Sequence, residues 1–448
     1  MEVKQTMIGM PSKRAKSLKI DDDRLTAELP LLMLYSLSYA GGNKAPHEAL
    51  GDVHKDKYLK EIFREISKIS YVYQRLVKKY GSTILALEKA AESVSSLIFP
   101  RVIRSYIASY MLRGSPLDTL YQLALVSAES FEQRLKERHN ALIHGVELIA
   151  TATVIVLLTV VLSSSFSSNY AASYMASLIV IGISFATAIT TRVRVLSVIL
   201  PYQANFLADI ILSSVAIMSL LLLIFDKYIY ALTLACLTTP MYVYNIISVR
   251  KAVRRLSRLT YAMRVVTEAL TLRLSNIDTI ISIIKIDDEG ERSLIYALRT
   301  GRAAPSNIEK WPLVYLLSKT VSSIVRSGSN AAKISRIANT ILESLSLNIR
   351  ILFGKILVIM IMLPMVIVAI AASMVYASKL FQTSYAPTQH MLIPYVPLSI
   401  DGKLAIKSIA ISGVGASFAI TYAIWGALAY NLAAPLVVIG TSIVMLLL

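Results

Sequence analysis

Hydrophobic positions along the chain form two patterns, one of long apolar runs and one of short helical repeats. Apolar runs of about 18 residues or more, the length that a helix needs to cross a bilayer, occur only after residue 146. They are Leu148–Phe166, Tyr170–Thr190, Phe206–Phe225 (with Asp209 near one end), Tyr228–Val249, Ile356–Ser378 and Ser408–Leu448. The last run is too long for one helix and contains Gly426, Asn431 and Pro435, so it predicts two helices joined by a tight turn near Tyr430. The pattern therefore predicts about seven transmembrane helices.

Two polar blocks, residues 1–145 and 250–350, precede the two groups of apolar runs. Their apolar residues recur at spacings of three and four, as at Leu117, Leu120 and Ala124, which is typical of amphipathic helices. The sequence therefore predicts an all-α fold: a polytopic integral membrane protein with two cytoplasmic helical-bundle domains.

The predicted organisation follows the order of these segments. A first cytoplasmic domain covers 1–145, four transmembrane helices cover 146–249, a second cytoplasmic domain covers 250–350, and three transmembrane helices cover 351–448 with an outer loop near 379–403. The apolar stretch Leu29–Gly42 has only the length of a buried core helix, so it is predicted to lie in the first cytoplasmic domain.

Each polar block ends in a similar joint between two helices. Gly114 can end one helix in a left-handed conformation, and Pro116 suits the first turn of the next helix. Gly328 marks the equivalent joint in the second block. Because an amphipathic helix of about 30 residues follows each glycine, the two blocks predict a degenerate duplication of one helical bundle.

Composition excludes several classes of protein. Hydrophobic residues make up 55% of the chain and charged residues 17%, whereas soluble domains average about 25% charged. Cys236 is the only cysteine, which excludes a disulfide-stapled fold and a cysteine-rich zinc site. Lysine and arginine number 46 against 28 acidic residues, a net charge of +18, and this imbalance favours an anionic partner such as nucleic acid or a membrane surface.

The positions of the basic residues decide between these partners. Most of them lie in the two polar blocks, and Arg192 and Arg194 lie between two apolar runs. The positive-inside rule places all three segments on the cytoplasmic side of the cell membrane, with the N-terminus inside and Leu448 outside. Topology and anionic headgroups then explain the charge, so membrane lipid is a predicted partner and nucleic acid is not.

Known catalytic motifs are absent from the sequence. It contains no GxxxxGK[ST] loop, HExxH, GxSxG or dinucleotide fingerprint. The pairs His139 and His144, and His47 and His54, are interpreted as ordinary helix polarity rather than as metal ligands. We therefore expect no enzyme activity, no cofactor and no metal. A secondary transporter or permease is the alternative, although it would need a polar site in the middle of the spans.

Charge clusters provide the candidate partner-binding residues. A basic stripe follows the fourth apolar run and consists of Arg250, Lys251, Arg254, Arg255 and Arg258. It is interpreted as an anchor to anionic headgroups or as a docking face for an acidic partner protein, two roles that are compatible. The acidic residues Asp287, Asp288 and Glu289 form a second candidate docking point, with a solvated turn as the alternative.

Three short stretches carry a family resemblance. The segment Ala27–Tyr35, with Glu28 and Pro30 at an expected helix start, and the segment Ala45–Leu50 together resemble the opening of the type II secretion F domain. Arg113–Leu117 resembles the second joint of that domain. Membrane platform proteins of type II secretion, type IV pili and the archaellum contain this domain. The predicted number of about seven spans resembles that of their archaeal branch.

This resemblance implies a function. Platform proteins of type II secretion, type IV pili and the archaellum are non-enzymatic. They couple a cytoplasmic hexameric ATPase to the assembly of pilin-like or archaellin subunits. The resemblance also implies a homo-oligomer in the cytoplasmic membrane.

Overall fold

The computed structural model describes residues 18–40, 44–113, 116–166, 170–191, 199–200, 206–271, 282, 289–304, 311–384 and 402–448. Within these ranges the chain is almost entirely helical, and the β-contact is one isolated bridge between Leu18 and Val94. The helices are α1 (Asp22–Ala40), α2 (Glu48–Val53), α3 (Lys57–Ile62), α4 (Arg64–Tyr80), α5 (Thr83–Glu92), α6 (Ile98–Arg113), α7 (Pro116–Phe166), α8 (Tyr170–Thr191), α9 (Phe206–Ile224), α10 (Tyr228–Thr271), α11 (Glu289–Thr300), α12 (Pro312–Arg326), α13 (Ala331–Ser384), α14 (Gly402–Trp425) and α15 (Ala433–Leu446). The predicted all-α class is confirmed.

The chain forms two compact units. Unit 1 contains the described residues up to Phe131 together with Leu259–Ser344, and unit 2 contains Glu132–Arg258 and Leu345–Leu448. Helices α7, α10 and α13 each contribute residues to both units. Residues of the two polar sequence blocks therefore share unit 1.

Helix α1 is the buried centre of unit 1. Leu29, Leu31 and Leu34 are fully buried, and α1 packs against α2, α4, α6 and α12. The Thr320 hydroxyl of α12 donates to the Leu34 carbonyl at 2.9 Å, a bond that joins the two sequence blocks. The prediction of a core helix from Leu29 is confirmed.

The expected helix start at Glu28 is wrong, because α1 begins at Asp22. The Asp21 carboxylate accepts from the backbone N–H of Asp23 at 3.2 Å and of Arg24 at 3.4 Å, which satisfies donors that the first turn leaves without helical partners. Pro30 consequently lies inside the helix, where it cannot donate to a preceding carbonyl.

Unit 2 contains most of the apolar helical length. Among the described residues, four helices are long and apolar enough to cross a membrane: Leu207–Ile224, Tyr228–Thr271, Ala331–Tyr376 and Gly402–Trp425. Two shorter apolar helices span Tyr174–Ile189 and Ala433–Leu446. The chain is thus a membrane-associated protein, while the count of about seven spans stays a prediction.

Two predicted turns are described. Gly426, with φ of 68°, follows α14, and α15 begins at Ala433, which confirms the tight turn near Tyr430. Gly328 has φ of 54° and begins a short 3-10 turn, Gly328–Asn330, between α12 and α13. Pro116 begins α7 as predicted. Gly114 lies outside the described residues.

Candidate partner-binding surfaces

The basic stripe lies on the exposed face of α10, directly after its most apolar part. Its five members, Arg250, Lys251, Arg254, Arg255 and Arg258, are all exposed. Ala252, Val253 and Leu256, which alternate with them, are buried. The helix therefore presents a cationic face opposite a packed face, as the sequence predicts.

Only part of the acidic cluster is described. Glu289 is exposed and begins α11, where its carboxylate interacts favourably with the positive end of the helix dipole. Asp287 and Asp288 lie outside the described residues. Their role as a docking point stays a prediction.

Glu28 has a role that sequence reasoning missed. Its side chain is fully buried, and its carboxylate accepts the backbone N–H groups of Arg64 at 3.0 Å, Glu65 at 3.0 Å and Ile66 at 2.9 Å. These groups form the first turn of α4, which has no helical acceptors for them. The carboxylate of one helix thus caps the N-terminus of another.

The environment of Glu28 also affects its protonation. Burial raises the pKa of this carboxyl above its ordinary value, while the backbone N–H groups of Ile66 and Glu65 and the Arg24 guanidinium, whose Nε lies 2.9 Å from Oε1, oppose that rise. The raised pKa means that desolvation outweighs these partners. The backbone contacts hold α1 against α4, whereas the Arg24 contact lies within α1, so the residue serves packing.

His47 and His54 of the first block have different partners. His47 Nδ1 lies 2.9 Å from the Tyr106 hydroxyl and Nε2 lies 3.1 Å from Thr83 Oγ1. His54 instead packs on the Tyr71 ring, with centroids 4.9 Å apart. Within the described ranges no group of three or more His, Cys, Asp and Glu is placed to hold a metal ion.

Asp209 and Asn245 bind the turn between α14 and α15. The Asp209 carboxylate accepts from the backbone N–H of Ala429, and the Asn245 amide donates to the Ala429 carbonyl at 2.8 Å. Nearby, the Tyr242 hydroxyl of α10 donates to the Leu212 carbonyl of α9 at 2.7 Å. The sequence suggested only that Asp209 lies near a span end. In the structure its carboxylate binds Ala429 in the turn between α14 and α15.

No family model, curated protein or solved structure matches this chain.

Proposed function

We propose that the chain is the non-enzymatic platform of a type IV pilus-like, archaellum or type II secretion-like machine in the cytoplasmic membrane. In this role it docks a cytoplasmic hexameric assembly ATPase and passes pilin-like or archaellin subunits to the growing filament. The main support for the proposal is the composition of helix α10. One uninterrupted helix holds a candidate span, the exposed basic stripe and, after Leu259, part of the all-helical unit 1.

The proposed mechanism is conformational transmission. The ATPase docks on the cytoplasmic helices and favours one arrangement of them over another. Because α7, α10 and α13 continue from residues of unit 1 to residues of unit 2, a displacement at the docking face is carried along backbone that also forms the candidate spans. The basic stripe binds the acidic partner, anionic headgroups or both.

Contacts between helix ends in unit 2 fit the alternating spans of the proposed topology, which has about seven spans and a cytoplasmic N-terminus. Asp209, at the start of α9, binds the turn after α14. At the other end of α9, Asp226 forms an ion pair of 2.8 Å with Lys407, near the start of α14. The two contacts lie at opposite ends of α9, as expected for antiparallel spans. In the proposed orientation the first lies on the cytoplasmic side and the second on the outer side.

Affinity purification from the native host tests the proposal. The tagged chain is extracted in mild detergent, and co-purifying proteins are identified by mass spectrometry against an extract that carries the tag alone. Recovery of a hexameric secretion-type ATPase and a pilin-like subunit is the expected result. An intact, monodisperse chain that recovers neither would contradict the proposal, and substrate-coupled ion flux in liposomes would then favour the transporter alternative.

A further inference from the structure

A polar cavity of about 250 Å³ lies within unit 1 between α1 and α12. Its walls include Tyr35, Ser38, Tyr39, Lys319, Ser322 and Arg326. Two of these residues are cations, and no aspartate or glutamate is among the described residues of the lining. The cavity thus carries positive charge without a counterion in its own wall.

Lys319 is held in place by aromatic rings rather than by an acid. Its Nζ atom lies 5.1 Å from the centroid of the Tyr35 ring and 4.7 Å from that of Tyr315. Within the described part of the chain, Lys319 forms no ion pair with a carboxylate. Cation–π contacts of this kind stabilise a half-buried ammonium group and leave its N–H donors able to bind an anion.

Arg326 brings a second set of donors to the cavity. Its Nε–H donates to the Gly301 carbonyl at 2.8 Å, which fixes the guanidinium group through one of its N–H donors and leaves the others for a ligand. A guanidinium fork beside an ammonium point charge is the combination that proteins use to bind phosphate oxygens.

The hydroxyl groups of the wall are already engaged as donors. Ser38 donates to the Tyr35 carbonyl at 2.6 Å and Ser322 to the Lys319 carbonyl at 2.8 Å. Tyr39 donates to the Asp52 carboxylate, so its oxygen accepts the Tyr35 hydroxyl at 3.2 Å. Because these hydrogens are used within the protein, the two cations supply the donors for a bound ligand.

We propose that this cavity binds a phosphate group, with Lys319 and Arg326 as the binding residues. A volume of about 250 Å³ is below the range of roughly 300–1,000 Å³ that holds a drug-sized ligand. It suits inorganic phosphate or the phosphate end of a small phosphorylated ligand. This inference stands apart from the proposed platform function, because it depends only on the geometry of the cavity.

Calorimetric titration of the detergent-solubilised full chain with inorganic phosphate tests the proposal. Saturable binding is expected for the wild type, and Lys319→Met should weaken it by about tenfold or more, since one charged donor is lost while the apolar stem is kept. Arg326→Gln, at an exposed position, should weaken it in the same direction. Lys79→Met is the matched control: Lys79 lies 5.1 Å from the Tyr80 ring but does not line this cavity, so phosphate affinity should be retained.

Parallel titrations with AMP and glutamate separate the ligand classes. Tighter binding of AMP than of phosphate would support a phosphorylated ligand, and equal or weaker binding would support the free anion. The proposal is overturned by three results: no saturable phosphate binding to the wild type, binding that survives both cavity substitutions, or binding of glutamate in place of phosphate. If one variant fails to fold, the other still tests the cavity, and a lack of saturable phosphate binding to the wild type overturns the proposal without either.

Discussion

Glu28 is a charged residue in the interior of unit 1, where its carboxylate replaces water as the acceptor for three backbone N–H groups at the start of α4. A buried donor that loses its partner costs about 1–3 kcal/mol. The Glu28 side chain therefore serves as the acceptor that the backbone N–H groups of α4 need.

Glu28→Ala removes this acceptor and should lower the free energy of unfolding by roughly 2–4 kcal/mol, because the α4 donors stay buried without partners. Denaturant unfolding of the full chain in detergent measures the change. Glu92→Ala is the control, since Glu92 is exposed and forms an ion pair with Lys89 at 2.9 Å. It should change the free energy by less than about 0.5 kcal/mol. Equal effects of the two substitutions would show that the cap contributes nothing.

The protonation of Glu28 gives a pH-dependent prediction. Because burial raises its pKa in the folded chain above the ordinary value, the stability that this carboxyl contributes is fully present below the unfolded-state pKa and is lost as the pH rises through the folded-state pKa. Glu28→Gln does not titrate at this position. The free energy of unfolding of the wild type should therefore fall relative to that of the variant as pH increases. Unfolding curves at a series of pH values test the sign, and a difference that is constant across the series would refute it.

At the scale of elements, helices α8 and α14 pack closely because Gly415 has no side chain. A Cβ atom at Gly415 would lie 2.5 Å from Cγ1 of Ile181, which is closer than packed carbon atoms approach. Small residues at such contacts allow helix backbones to come together in membranes.

Gly415→Ala should therefore lower the melting temperature of the detergent-solubilised chain, with a cost of about 1–3 kcal/mol for overpacking. Gly182→Ala is the matched control on α8, because a Cβ there meets no atom within 4 Å and alanine favours the helix. A melting temperature that falls equally in both variants would argue against the close contact.

The basic stripe of α10 is the element-scale feature with a predicted role in assembly. Changing Arg254, Arg255 and Arg258 together to glutamate should leave the chain inserted but reduce ATPase recovery and filament output, since attraction becomes repulsion. The control reverses Arg75, Lys78 and Lys79, three exposed basic residues of α4, with the same change in net charge. Full filament output from the stripe variant, or a loss in the α4 variant alone, would place docking elsewhere.

At the scale of the whole molecule, the proposed topology can be tested with the single native cysteine removed. In a Cys236→Ser background, Lys89→Cys should be protected from a membrane-impermeant thiol reagent in intact cells and Lys403→Cys should react. Both positions are exposed in the structure, so only the side of the membrane differs. Labelling of Lys89→Cys before cell lysis would reverse the orientation.

The sequence predicts the elements of this molecule better than their contacts. Uncharged runs predict the apolar helices, and Gly426 predicts the turn between α14 and α15, because run length and turn chemistry are local properties of the sequence. The role of Glu28 escapes prediction because its acceptor function depends on backbone donors 36 to 38 positions away. Asp209 and Ala429 are separated by 220 positions, and nothing in either segment signals the other.

The link between Asp209, Asn245 and Ala429 has a consequence for biogenesis. The hairpin of α14 and α15 is translated after α9 and α10, and its turn donates one hydrogen bond to Asp209 and accepts one from Asn245. Until the hairpin arrives, the carboxylate and the amide lack these partners, and unpartnered polar groups in a membrane are costly. A chain truncated before Gly402 therefore leaves Asp209 and Asn245 without these two hydrogen bonds, which the hairpin of α14 and α15 supplies.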